Sequence, residues 1–244
     1  REEVDSKLVK EVEKNNIKIY KGYTVVNTFG YKKINKISIM QLSKDGQKVV
    51  GSKISIDCDC LGMSGGWTPA VHLFTQSGGK LKFRDEDQVF IPDTYPSDQI
   101  SIGSCNGEFT LDEILSSISK KLKDFLNIKK TEYENLEIQS HFNKTKRNIW
   151  LLPSDKIIGK TKPFVDYQND ATAKDIKLAL REGFRSIEHV KRYTTTGMGT
   201  DQGKLGNMHA LGIISETAGS KMGELGTTTF RPPYTPLTFG TIVG

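Results

Sequence analysis

Apolar residues recur at helical spacing at the start of the chain, where Val4, Leu8 and Val12 share a face and Asn15-Asn16 supplies a stop. Three β-rich runs follow: Ile17 to Thr28, Ile34 to Leu42 and Val49 to Ile56. The last two are joined through Asp45-Gly46, a hairpin signal, so an antiparallel meander is predicted. The apolar run CLGMS, Cys60 to Ser64, is halted by Gly65-Gly66, the pattern of a buried strand delivering chain to a loop. Val89 to Pro92 and Gln99 to Gly103 predict two short strands, and Leu111 to Phe125 an amphipathic helix.

Asn127 to Arg147 is polar and lysine-rich, which suits a linker or peripheral excursion. Beyond it the period is helical. Thr172 and Asp175 have capping-box-like spacing, Ile176, Ala179 and Leu180 give an apolar face, and Gly183 stands where that helix would stop. Ser186 can cap a second helix through Val190, and a third is expected from about Asn207 to Ala218, before Gly219. The segment TTTFRPPYTPLTFG, with three prolines among aromatic residues, reads as an ordered, nonhelical surface strap. The expected class is α+β, divided into 1–126, a linker 127–162, and a helical domain 163–244.

Composition narrows the partners. With 244 residues, 36% hydrophobic and 26% charged, the chain has the makeup of an ordinary soluble globular protein. The net charge of +6 is scattered among acidic residues instead of forming a basic face, which argues against a nucleic-acid partner. No apolar run is long enough to span a bilayer and no signal-peptide pattern opens the chain, so the expected location is the cytoplasm, with no membrane partner. The chain opens at Arg1 without a methionine, as expected of a piece of a longer polypeptide. Cys58, Cys60 and Cys105 lack metal-type spacing and do not make a disulfide framework. His72, His141, His189 and His209 are dispersed, without a zinc pattern.

Two places gather candidate chemistry. In KRYTTTGMG, Lys191 and Arg192 lead into Thr194, Thr195 and Thr196 and then Gly197 and Gly199, so cations, hydroxyls and backbone N–H groups concentrate where an anion could sit. The plain alternative is a solvated helix end whose cations offset the helix dipole. The second place is the strand, Gly-Gly loop and helix system from Cys60 to Leu126. It suits either a cofactor-facing turn or an α/β core with tight turns, since no G-x-G-x-x-G fingerprint is present.

The segments ISIDCDCLGMSGGWTPAVHLFTQSGGKL and Pro163 to Gly244 resemble the alpha-subunit family of heterotetrameric sarcosine oxidases, flavoenzymes of one-carbon metabolism. The resemblance implies that the first part closes a two-dinucleotide-binding-domain, reductase-like fold over bound NAD. GSCNGEFTLDEIL is similar to the closing motif, and Ser104, Phe109 and Leu111 inherit the NAD contacts. Related flavin enzymes carry an acidic residue where this chain has Ser104, which favours NAD over a flavin there. The second part resembles the small helical domain of bacterioferritin-associated-ferredoxin-like proteins, which holds a two-iron two-sulfur cluster through four cysteines. Asp166, Gln168, Asp201 and Gly206 stand at the cysteine positions and no cysteine follows Cys105, so no cluster is expected.

The family resemblance further implies an FMN at the interface with a beta subunit, with Lys191, Arg192, Thr194, Thr195 and Thr196 as contributors. FAD on the beta subunit, tetrahydrofolate in a domain outside these residues, and beta, gamma and delta partners complete the implied complex. It would oxidise sarcosine to glycine with hydrogen peroxide and methylenetetrahydrofolate. No catalytic residue is expected in this segment, which alone would be inactive. The alternative is a non-catalytic scaffold module of an amine dehydrogenase complex.

Overall fold

The alternation in the first sixty residues builds a three-stranded antiparallel meander of β1 (Tyr23–Gly30), β2 (Ile34–Leu42) and β3 (Val49–Asp57), in that spatial order. Pairing sets Val25 opposite Ile39 and Ile39 opposite Ile54, so branched residues stack across the strands. Central β2 buries Ile37, Ser38, Ile39 and Met40 in succession, as a strand covered on both faces does. The expected hairpin forms: the Asp45 carboxylate accepts the Ser43 hydroxyl at 2.5 Å and the Gln47 N–H at 3.1 Å.

The computed structural model describes residues 7–96, 98–127, 148–155, 161–232 and 235–243. The expected Val4 helical position and most of the expected linker lie outside them. The chain divides into two units, residues 1–65 with 151–161, and residues 66–150 with 162–244. Residues 66–126, expected to group with the preceding sheet, group instead with the C-terminal part.

In the first unit, α1 (Lys7–Lys14) ends at Asn16, which takes the left-handed conformation. Ile17 to Gly22 is not strand, a correction to the expected start of β1. Its Ile17 N–H turns back to the Val12 carbonyl, so these residues finish the helix exit before the sheet begins. Cys60 to Ser64 is not a buried strand either. Met63 is 68% exposed and Trp67, just beyond, 73%. Gly62, Gly65 and Gly66 leave this stretch too little side chain to bury, and among the described residues no strand pairs with it. Lys53 and Asp155, 2.7 Å apart, tie the returning segment to β3.

The second unit opens with α2 (His72–Gln76) and the hairpin of β4 (Lys80–Arg84) and β5 (Val89–Thr94). Phe74, Val89, Phe90 and Ile91 are buried, and Phe83 packs on Phe90 at 5.0 Å. Gln99 to Gly103 is not a strand. It leads into a single 3₁₀ turn, Gly103–Asn106, and its Ser101 carbonyl is met by Lys121 at 3.4 Å instead of a neighbouring strand. α3 (Leu111–Leu126) starts at a capping box in which Thr110 and Glu113 satisfy each other's backbone N–H.

The C-terminal region adds the small hairpin of β6 (Phe164–Asp166) and β7 (Ala171–Thr172), then α4 (Ala173–Arg181), α5 (Ile187–Thr194), α6 (Asn207–Ala218), α7 (Met222–Leu225) and α8 (Phe239–Val243). The expected Thr172–Asp175 capping box is present. Ala173, Ile176, Ala179, Val190, Ile213 and Ile214 are essentially fully buried and form the helical core. α5 runs past Val190 to Thr194, and Ser186 makes no side-chain cap bond. Among its described residues the strap is irregular until Phe239, where α8 begins, which corrects its nonhelical reading at that end.

Candidate functional site

The Gly103–Leu111 and Lys191–Gly199 segments both fall in the second unit, whereas Cys60 to Gly65 belongs to the first. At the first, the 3₁₀ turn and the capped start of α3 hold the Gly103–Leu111 segment. Ser104 is exposed, Phe109 half-buried and Leu111 56% exposed. Glu108 lies at the centre. Its carboxylate accepts the Gly103 N–H at 2.9 Å, the Asn106 amide at 2.9 Å, the Ser117 hydroxyl at 2.5 Å and the Lys121 ammonium at 2.7 Å. Burial pushes its pKa up, but the bonds from Lys121, Ser117, Asn106 and Gly103 together outweigh it and hold the group below its ordinary 4.5. Arg84 pairs with Asp87 and donates to the Gly107 carbonyl at 2.8 Å, clamping the turn to the hairpin. The N–H groups of Phe109 and Thr110 face the Glu113 carboxylate.

The Gly103, Phe109 and Thr110 N–H groups are therefore taken by Glu108 and Glu113. What the turn offers outward is the Ser104 hydroxyl and the Leu111 side chain, which suit a sugar or a ring face and do not make a phosphate cradle.

At the second place the sequence-predicted residues are brought to one helix end, but not to one surface. Thr194 and Thr196 are buried, their hydroxyls 2.7 Å apart, and Thr194 also donates to the Val190 carbonyl at 2.8 Å. Thr195 caps the helix in the left-handed conformation, exposed, with its hydroxyl on the Thr194 carbonyl. Arg192 donates to the Glu188 carbonyl at 3.1 Å and pairs with the Glu188 carboxylate at 3.4 Å. Glu188 in turn accepts the Thr229 N–H at 2.9 Å, so the pair also fastens the strap. Lys191 is half-buried on the same last turn and has no ion-pair partner among the described residues.

The group that organises this turn is Asp166, at the end of β6. Its carboxylate accepts the N–H of Gly197 at 2.7 Å, of Gln168 at 2.8 Å and of Asn169 at 3.1 Å, with the Asn169 amide at 3.3 Å. Burial works against the charge, yet these bonds outweigh it and hold Asp166 below its ordinary 3.8. An Asx-type turn at Asp-Tyr-Gln-Asn is a sequence signal that could have found the local half; the bond to Gly197 has none.

The four positions aligned with cluster cysteines do converge. Gln168 donates to the Thr200 hydroxyl at 2.7 Å and accepts the Asp201 N–H at 3.0 Å. Gly206 lies so close to the Val165 carbonyl that a Cβ there would overlap it. Hydrogen bonds and close packing fill the locus. Among the described residues, no group of three or more His, Cys, Asp or Glu is placed to hold a metal.

Elsewhere in this unit, His72 lies 3.9 Å from the Phe230 ring at a small cleft of about 30 Å³ that Asn207, Leu211 and Thr228 also line. That volume is on the scale of a single water. Burial, aided by Lys204, pushes the His72 pKa down to about 4. Arg231 is exposed, and Trp150 packs over α6 with its ring 6.2 Å from His209.

Comparison with known proteins adds to this geometry. Residues 160–244 match the family model of the sarcosine oxidase A3 domain. A sarcosine oxidase subunit alpha of Rhizobium meliloti is 36% identical over 80% of this chain and 20% of its own length. Another, from a Corynebacterium, is 31% identical over 93% of this chain and 24% of its own. The chain is related to sarcosine oxidase alpha subunits. It spans a quarter or less of the length of these alpha subunits. The fold has a counterpart in L-proline dehydrogenase from P. horikoshii, with a TM-score of 0.60 at 20% identity, covering 96% of this chain and 47% of that one. No helix among the described residues is long and apolar enough to cross a membrane.

Proposed function

We propose that this chain is a non-catalytic segment of an amine oxidoreductase of the sarcosine oxidase type. The similarity to sarcosine oxidase alpha subunits along nearly the whole chain carries this reading. The complex would convert sarcosine to glycine with hydrogen peroxide, forming methylenetetrahydrofolate when tetrahydrofolate is present. Beta, gamma and delta subunits would supply the rest of the machinery, with FAD on beta, in the cytoplasm. The bound flavins would supply the two-electron oxidation of the amine and its hand-on to oxygen.

The part of this chain is positioning. Ser104, Phe109 and Leu111 would close one side of an NAD site through a hydroxyl and apolar contact, with Arg84 and Glu108 holding their turn in place. Lys191 would face the FMN at the interface with the beta subunit. Of the two candidate cations there, its ammonium is the one without an ion-pair partner among the described residues. The helical region, read as a ferredoxin-like domain with Asp166, Gln168, Asp201 and Gly206 where thiolates would stand, would serve as a rigid support.

A specific observation favours a second reading, a scaffold module: the protein's own carboxylates, Glu108 and Asp166, already take the Gly103 and Gly197 N–H groups at the two candidate places. Purification of the complex from its source, with flavin and NAD content measured alongside sarcosine-dependent peroxide release, separates the two. Assembly with neither NAD nor FMN bound would favour the scaffold. Sarcosine oxidation by this chain alone, with added flavins, would overturn the positioning role.

A further inference from the structure

We infer that Asp166 is the resident anion of the Thr194–Gly199 turn, and that this turn is closed to exogenous phosphate by the protein's own carboxylate. The inference uses the proposed flavin reading only for the choice of phosphate as the excluded ligand; the carboxylate lock stands without it.

The turn has the ingredients of an anion site: backbone N–H groups, hydroxyls, and cations on the preceding helical turn. The Gly197 N–H and the Thr194 and Thr196 hydroxyls are committed inward, and Arg192 is paired with Glu188. Four donors converge on Asp166, which is 6% exposed. Asn169 binds both sides, donating to Asp166 and, at 3.2 Å, to the Thr195 carbonyl. The carboxylate thus joins the β6–β7 hairpin to the α5–α6 connection. A phosphate dianion at Gly197 would have to displace a hydrogen-bonded, buried carboxylate and sit beside its charge, and both requirements oppose binding. The buried hydroxyls of Thr194 and Thr196 cannot turn outward without leaving each other and the Val190 carbonyl. Any phosphate taken up nearby is held from outside, by Lys191.

The experiment is thermal unfolding of the full chain with and without added sodium formate or inorganic phosphate, at matched ionic strength. For the wild type neither salt is expected to raise Tm beyond a chloride control. Asp166→Gly vacates the carboxylate and is expected to lower Tm by about 4–8 °C, and formate restores part of that loss by entering the vacated donor set. Asp166→Asn retains one acceptor but sets an amide against the donors, so it melts below the wild type and does not respond to formate. If the glycine variant fails to fold, the asparagine variant decides. Melting of either variant at the wild-type temperature, a formate response in Asp166→Gly no larger than in the wild type, or specific phosphate stabilisation of the wild type that Lys191→Ala leaves intact would each overturn the inference. None of these readings depends on FMN retention in the complex, so failure of the flavin reading remains distinguishable.

Discussion

Asp166 Oδ2 accepts the Gly197 N–H at 2.7 Å, joining two segments 31 residues apart. Glu108 does the same at shorter range, drawing the Gly103 N–H and Lys121 onto one carboxylate. Both acids anchor turns that the sequence marks as candidate ligand contacts, and both rely on being charged.

Their lowered pKa values fix the sign of a pH effect. A carboxylate whose folded pKa is depressed contributes stability above its unfolded value, and loses it as pH falls through the folded one. The second unit is therefore expected to lose stability as pH drops below about 4, the ordinary carboxylate range. Urea unfolding at pH 7, 4 and 3 measures it. Glu108→Gln should be destabilised at pH 7 by about 1.5–3 kcal/mol, the range for hydrogen bonds to a charged group. That difference should shrink at pH 3; a constant difference would show that the charge is not the cause.

His72 gives a second, separate window. Its folded pKa of about 4 lies below the ordinary 6.5, so the unfolded chain binds the proton first and stability falls as pH drops from about 6.5 to 4. The upper limit is about 3 kcal/mol. His72→Phe should flatten this part of the stability–pH curve while leaving the loss below pH 4. A curve unchanged by the substitution would place the titrating group elsewhere.

Gly212 in α6 sits beneath Trp150, and a Cβ built there would overlap the indole. Helix propensity favours alanine over glycine by about 1 kcal/mol; overpacking a rigid ring costs about 1–3 kcal/mol. Gly212→Ala is therefore expected to be net destabilising in chemical denaturation. In a Trp150→Ala background the same change should become stabilising, because only the propensity remains. Destabilisation in both backgrounds would mean that the ring is not the obstacle.

The long, strongly patterned elements were legible from sequence: β2 at its observed bounds, β3, α3, α4 and α6 near theirs. Local chemistry sets them, through alternation, helical period and the Thr172–Asp175 cap. β4 was missed because Lys80 to Arg84 alternates charged and apolar residues over too short a stretch to stand out. Cys60 to Ser64 was misread because an apolar run says nothing about whether a partner strand exists. The site divided in the same way. KRYTTTGMG identified the chemistry of the turn, but which donors are free depends on Asp166 and Glu188, and only the tertiary fold brings Asp166 to Gly197.

That division decides the last prediction, which concerns Lys191 and Arg192. In sequence the two cations are equivalent neighbours. In the fold Arg192 is held by Glu188, whose carboxylate also accepts the Thr229 N–H, whereas Lys191 is unpaired among the described residues. A charge-assisted contact to a phosphate contributes about 1.5–3 kcal/mol. In the complex assembled with its beta-type partner, Lys191→Ala should thus weaken FMN retention by about ten- to a hundredfold. Arg192→Ala should change retention less than about threefold, and its main effect should be a small loss of stability, since exposed ion pairs are worth about 0.2–1 kcal/mol. NAD content should not change in either variant, because Ser104 and Leu111 lie on a different turn. FMN and NAD occupancy after identical dialysis of the three complexes provides the measurement. Equal FMN loss in both variants would mean that the Glu188 pair opens to admit the cofactor. Unchanged FMN in Lys191→Ala would remove this helix end from the flavin site.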